Sequence, residues 1–433
     1  MFRVARRPEI VTHDVPASGP EPAPAIESVA MALVRPFRAL RPRPDLAAEI
    51  AAVPYDVVDT EEARTLALGR PNSFLHVSRA EIDLPPTVSP YADEVYTRAW
   101  ETFEAFRSSA LIQDASPALY VYRLRMGDHE QTGLAGTFSV DEYRSDLILK
   151  HERTRRDKED DRTRHITELR AQTGPVLLTY RDTPEAAASI AAVTGGTPLY
   201  DIVADDGVGH TIWAATPQQG EALQAAFAAV PRLYIADGHH RAASAARAQQ
   251  TLGAEPGEEA NYFLAVAYPD AQMRILPYHR LAKDLNGHTP EALLTVLSQQ
   301  FPMSAGVATP SRKGECGVYL RGKWYTLALG DDASDPADPI GTLDVSRLQE
   351  RVLAPILGIE DPRTDTRIDF VGGIRGTTEL ERLVNGRKAE IAFSMYPVTL
   401  ADLMAIADAG AIMPPKSTWF EPKLRDGLLS HEI

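Results

Sequence analysis

The stretch from Leu233 to Gly253 constrains this chain more than any other. Leu233-Tyr234-Ile235-Ala236 is an apolar run, Asp237-Gly238 is a turn signal, and His239-His240-Arg241 opens an Ala-rich run to Leu252 that Gly253 closes. The first part reads as a strand, the helix formers after the turn as a helix, and Gly253 as its C-terminal stop. A strand passing into a helix within one turn brings unpaired backbone N–H groups and the positive end of the helix dipole to one point. That arrangement receives anions. Gly238 permits close backbone approach. His239, His240 and Arg241 supply donors, and Arg241 can grip phosphate oxygens bidentately. Asp237 adds a carboxylate able to hold Mg²⁺ or to orient an imidazole. A polar surface turn is the plain alternative, although two adjacent His and an Arg at a helix start exceed what such a turn needs. Zinc is the competing ligand, since His is a preferred zinc donor. Adjacent His residues point apart, however, and no Cys or His set at zinc-ligand spacing completes such a site.

The rest of the sequence sets bounds on this reading. At 433 residues, the chain exceeds what one core usually spans and suggests two or three domains. With 45 Lys+Arg against 60 Asp+Glu, the net charge of -15 opposes nonspecific attraction to nucleic acid. A single cleft can still focus positive potential on a small anion. Cys316 is the sole cysteine, which excludes an internal disulfide framework and a Cys-rich zinc site, and its setting reads as a packed thiol at a strand start. No run reaches the ~18 apolar residues of a membrane span, and the first residues lack an apolar signal core, so a cytoplasmic protein without a membrane partner is expected.

Residues 1–30, rich in Pro, Ala and Glu, read as a flexible arm. Val53-Pro54-Tyr55-Asp56 follows as an extended unit that could reach over a cleft, making Tyr55 and Asp56 weaker candidates. Helical stretches are expected near 60–69 and 92–108, with strands at 119–122, 137–140, 175–180 and 262–267. The tract His151–Arg170 holds seven Arg/Lys and six Asp/Glu, and Glu152/Arg156 and Asp160/Arg164 stand at i,i+4, which predicts an exposed helix. Val318–Leu327 reads as a hairpin turning at Arg321-Gly322-Lys323. A strand over 389–395 and a helix over 399–409, stopped by Gly410, lead to Met413-Pro-Pro-Lys416-Ser417-Thr418-Trp419-Phe420. Val371-Gly372-Gly373 reads as a tight turn. The P-loop and the kinase Gly-rich loop are both absent.

At Asp-Gly-His-His-Arg the sequence resembles the ParB/sulfiredoxin-like superfamily, and more closely its free L-serine kinase branch. That branch has a His-Glu pair upstream, matched here by His151-Glu152, and a C-terminal Pro-Lys-Thr-Thr segment, matched by Pro415-Lys416-Ser417-Thr418. The three motifs keep their order and cover roughly residues 145–425. The whole chain, with Arg35-Pro-Phe-Arg, Val53-Pro-Tyr-Asp and Pro414-Pro-Lys-Ser-Thr-Trp-Phe, also looks like a large bacterial family of long-uncharacterised proteins. Two departures matter. His239 stands where sulfiredoxins carry their catalytic Cys, and the DNA-binding helices of ParB proteins have no counterpart.

The resemblance implies an α+β fold with a ParB/sulfiredoxin-like catalytic core on a mixed sheet over residues 141–285. An N-terminal α/β region, 31–140, precedes it, and a C-terminal α/β region, 286–433, completes the active site. The implied activity is phosphoryl transfer from ATP, ADP or pyrophosphate to the hydroxyl of free L-serine or a similar small molecule. In that scheme Glu152 is the general base, His151 steadies it, Gly238, His239, His240 and Arg241 hold phosphate, and Lys416, Ser417 and Thr418 clamp the substrate. Such chemistry draws mostly on alignment and charge neutralisation, so Mg²⁺ is expected, with Asp237 its protein contact. A ParB-like nucleotide-binding switch or scaffold is the alternative. Serine itself is implied by the family and not by these residues.

Overall fold

The strand expected before Asp237 spans Leu233–Asp237 in the computed structural model, which describes residues 34–330 and 338–433; the expected arm, 1–30, lies outside them. The strand sits near one edge of a mixed sheet. Among the described residues this sheet has eight strands, running from Ile148–Leu149 through Leu233–Asp237, Val176–Tyr180, Tyr262–Pro269, His129–Ser139, Tyr120–Met126 and Gly209–Ala214 to Tyr200–Val203. Leu233–Asp237 pairs parallel with Ile148–Leu149 and antiparallel with Val176–Tyr180, while Val176–Tyr180 pairs parallel with Tyr262–Pro269. The protein is therefore α+β.

Side chains alternate across this sheet, as the two-residue period of a strand requires. Leu233 and Ile235 face a core shared with Leu178, Phe263 and the helices Pro184–Thr194, Pro217–Phe227 and His239–Leu252. Tyr234 and Ala236 face the opposite core, which runs on into a second sheet. Small residues let helix His239–Leu252 lie close to its neighbours, and Ala242, Ala243, Ala245, Ala246 and Ala248 are all buried. The helix is entered at Gly238 with φ +88° and left at Gly253 with φ +64°, both left-handed conformations that glycine adopts without a Cβ penalty.

The second sheet is antiparallel and has six strands among the described residues, in the order Met303–Ala305, Lys323–Ala328, Glu315–Leu320, Ile391–Met395, Tyr278–Ala282, Ile368–Gly372. The expected hairpin is present with a tighter turn, since Lys323 already pairs with Leu320 and only Arg321 and Gly322, at φ +48° and +75°, lie between the strands. Helices Thr60–Ala67 and Asp93–Ser109 enclose a third apolar cluster around Phe74 and Phe103. The described residues form one compact unit. The C-terminus returns to the first half of the chain, with His431 pairing with Gln172, Ser430 with Leu40 and Asp426 with Ala52. No helix among the described residues is long and apolar enough to cross a membrane.

The charged tract departs from expectation. Its helix is Arg156–Leu169, leaving residues 151–155 as a loop after strand Ile148–Leu149. The expected Glu152–Arg156 pair is not formed, because Glu152 lies outside the helix. Arg164 meets Asp93 and Glu168 instead of Asp160, which is taken by Arg247. Val371-Gly372-Gly373 is not a tight turn either. Gly372 ends a strand against which the Trp419 ring packs so closely that a Cβ would stand 2.5 Å from it.

Candidate functional site

Strand Leu233–Asp237, the loop His151–Arg155, the extended Tyr55-Asp56 unit and the segment Met413–Lys423 converge on one cleft of about 880 Å³. His151, Glu152, Asp237, Gly238, His239, His240, Lys416, Ser417, Thr418, Tyr55 and Asp56 all line it. The expected site residues thus meet, with Arg241 the exception.

Asp237 lies at the strand's C-terminal end, and its Oδ2 accepts a hydrogen bond from Lys423 Nζ at 2.9 Å, with Arg241 Nη2 3.9 Å away. Burial alone would raise its pKa, but Lys423 and Arg241 outweigh it and hold the carboxyl well below the usual range. The carboxylate is already neutralised. Lys423 occupies Oδ2, so the Mg²⁺ contact expected of Asp237 would fall to Oδ1, beside that ammonium. Lys423 itself went unnoticed in the sequence. It stands in a tail with no pattern around it, 4.8 Å over the Trp419 ring, and only the fold carries it to Asp237.

Arg241 also departs from its expected role. It is 8% exposed, and Nη1 donates to the Pro175 carbonyl at 2.5 Å while Nη2 reaches both Asp56 oxygens at 3.3 Å. The guanidinium lies in a small inner cavity beside Tyr55, Arg162 and Asp426, and not in the cleft. One helical turn after Gly238 its side chain is directed inward, so it fixes Asp56 from behind instead of gripping phosphate.

The adjacent histidines diverge, as expected. His240 Nε2 accepts from the Arg155 N–H at 3.0 Å, tying the helix start to the loop 151–155. His239 turns the other way. Its ring meets His151 edge to face at 4.4 Å, its Nε2 receives the His151 N–H at 3.5 Å, and its Nδ1 lies 3.9 Å from Glu152 Oε2. Burial lowers the His151 pKa to about 4, and burial, helped by His151, holds that of His239 well below the usual imidazole value, so both imidazoles are neutral. Among the described residues neither ring nitrogen of His151 makes a well-formed hydrogen bond, although the Ile235 carbonyl lies close enough to oppose the fall in its pKa.

Glu152 stands on the cleft wall with 40% of its side chain exposed. The surrounding protein limits its hydration, and this burial raises its pKa; Lys416 opposes the rise, and Asp237 and Asp56 add to it. Lys416, at φ +55°, holds its ammonium 5.4 Å from the Tyr278 ring centre and makes no ion pair among the described residues. Ser417 Oγ donates to the Pro414 carbonyl at 2.7 Å, which shapes the turn and leaves the oxygen's lone pairs as its remaining capacity. The Met413 N–H donates to the His151 carbonyl at 2.8 Å, locking this segment to the His-Glu loop. Arg153 also lines the cleft and has no charge partner among the described residues.

Fold and cleft together define an α+β protein with a cleft where a strand ends in a helix N-terminus, flanked by a partly desolvated carboxylate and by a lysine that has no ion pair among the described residues. The chain belongs to the family described as "Protein of unknown function (DUF1015)", whose model matches residues 34–346. Lys416 and Lys423 lie beyond the matched stretch. No curated protein matches the sequence. Among solved structures, the chain is similar to a free serine kinase in complex with AMP, at 11% identity and a TM-score of 0.37 over 69% of this chain and 91% of that one. It is similar to SbnI from Staphylococcus aureus, at 13% identity and TM-score 0.36 over 67% and 85% of the two chains. A conserved hypothetical protein from Pyrococcus furiosus gives 14% identity and TM-score 0.33 over 68% and 94%. These are distant likenesses.

Proposed function

We propose that this protein is a small-molecule kinase that transfers a phosphoryl group from ATP, ADP or pyrophosphate to the hydroxyl of free L-serine, giving O-phospho-L-serine. The observation that carries the reading is the meeting of Glu152, the Gly238–His240 helix start and Lys416 on one cleft, although they are far apart in sequence. Each answers one need of phosphoryl transfer. The unpaired N–H groups of the helix start receive phosphate oxygens. Lys416 and Arg153 add positive charge against the charge that builds on the transferred group. Glu152, with its raised pKa, is a stronger base than an exposed carboxylate and takes the proton from the attacking hydroxyl. His151 and His239 back the carboxylate as neutral rings and hold its loop against the helix. The cleft volume suits a nucleotide-sized ligand together with a small acceptor. Mg²⁺ would come with the donor's phosphates and would supply charge neutralisation.

The test is a transfer assay with L-serine against ATP, ADP and pyrophosphate, repeated with Glu152→Gln and Lys416→Ala. Loss of about a hundredfold or more in kcat is expected for Glu152→Gln. For Lys416→Ala, a rise of about tenfold in the donor's KM is expected, equivalent to ~1.4 kcal/mol. Full activity in Glu152→Gln would remove the general-base assignment, and failure of all three donors would remove serine as acceptor.

A further inference from the structure

The zinc reading set aside on sequence grounds lacked further ligands near His239. The fold supplies them from 88 residues upstream. One imidazole nitrogen from each of His151 and His239 and one carboxylate oxygen of Glu152 lie within 4.8 Å of one another. We propose that His151, Glu152 and His239 form a binding site for a borderline divalent transition-metal ion of the Zn²⁺ class, open to the cleft at its remaining coordination position.

Three features carry this. Two nitrogens and one oxygen match the donor preference of Zn²⁺ and its neighbours and not that of Mg²⁺, which asks for an all-oxygen octahedron. His151 is 2% exposed and, among the described residues, neither ring nitrogen makes a well-formed hydrogen bond; the Ile235 carbonyl comes near one of them, which leaves the other without a partner. A buried polar group in that state is costly and calls for a partner, which a metal ion provides. The contact from the His151 N–H to His239 Nε2, at 3.5 Å, is at the limit of a hydrogen bond and is readily given up.

The required movement is small. Metal–ligand bonds of about 2.1 Å set tetrahedral ligand atoms roughly 3.4 Å apart, so the three groups close by about an ångström. Glu152 can make most of that movement, because it stands on a loop with 40% of its side chain exposed. Three protein ligands and an open fourth position are the arrangement of a reactive zinc site and not of a closed structural one. The inference goes beyond the kinase reading and competes with it for one carboxylate. A Glu152 that holds a metal ion cannot accept a hydroxyl proton, so an occupied site blocks transfer through that residue.

Equilibrium dialysis of the untagged, full-length, EDTA-treated protein against Zn²⁺ in the presence of excess Mg²⁺ tests the site, with Co²⁺ as a spectroscopic replacement. One ion per chain is expected, undisplaced by Mg²⁺, with Co²⁺ giving the intense visible bands of low coordination number. Glu152→Gln and His239→Asn, each checked for folding by circular dichroism, should weaken binding at least tenfold. The proposal is overturned if no ion binds, if Mg²⁺ displaces it, or if both folded variants bind as the wild type does. Because binding is read without turnover, failure of serine phosphorylation leaves this result standing, and the reverse also holds.

Discussion

Replacing Lys423 with Met removes the cation that Asp237 depends on while keeping the length and apolar stem of the side chain. At 2.9 Å and an effective dielectric constant of about 20, the Coulomb attraction is about 6 kcal/mol. Desolvation of the lysine cancels much of this, and 28% of the Asp237 side chain still reaches water. A charged hydrogen bond in such a setting contributes about 2–3 kcal/mol net. Arg241 remains at 3.9 Å and limits the loss to that range. The pH dependence gives a sharper test. The native pKa of Asp237 is depressed, so its stabilisation is present above the unfolded value of about 3.9 and is lost as pH falls through the native pKa. In Lys423→Met the native pKa rises, and the variant recovers relative to the wild type as its carboxyl protonates. Urea unfolding should therefore show a deficit of about 2–3 kcal/mol near pH 7 that holds to about pH 5 and narrows as pH falls further, through the unfolded value of about 3.9 toward the native pKa. A deficit that stays constant over this range, or none at neutral pH, would refute the view that Lys423 acts by neutralising Asp237.

Two further outcomes follow from the cleft's construction. Gly372→Ala would place a Cβ 2.5 Å from the Trp419 ring, so it should cost about 1–3 kcal/mol in urea unfolding and displace the ring that carries Lys423; unchanged stability would show that Trp419 has room to move. Glu152 must be ionised to act as a base and its pKa is raised by burial, so phosphoryl transfer should fall with decreasing pH along a limb centred above the usual glutamate value of about 4.3. A pH–rate profile flat through that region in the wild type, or the same limb in Glu152→Gln, would count against the assignment.

The site was legible where local chemistry fixes local geometry. Leu233–Ala236, Gly238 and the Ala-rich run state a strand, a left-handed glycine and a closely packed helix, and all three appear. The i,i+4 spacing of Glu152 and Arg156 predicts a pair that does not form, because such spacing carries meaning only inside a helix, and nothing local marks the start of this one at Arg156. Arg241 was placed in the phosphate site on its chemistry, but its direction depends on where the Pro175 carbonyl and Asp56 lie, 66 and 185 residues away. Lys423 carried no signal, because a lone lysine in a tail acquires its role only from its partner.

The sequence by itself determined the elements and the inventory of reactive groups: a strand ending at Asp237, a helix start rich in donors, a His-Glu pair and a lysine after two prolines. Backbone propensity and side-chain chemistry are properties of neighbouring residues, so they can be read along the chain. Tertiary structure alone decided which groups meet. It neutralised Asp237 with Lys423, turned Arg241 inward to Asp56, brought His151 edge-on to His239 and left Lys416 unpaired across the cleft from Glu152. These outcomes rest on charge and burial set by contacts distant in sequence, and such contacts exist only once the sheets have packed.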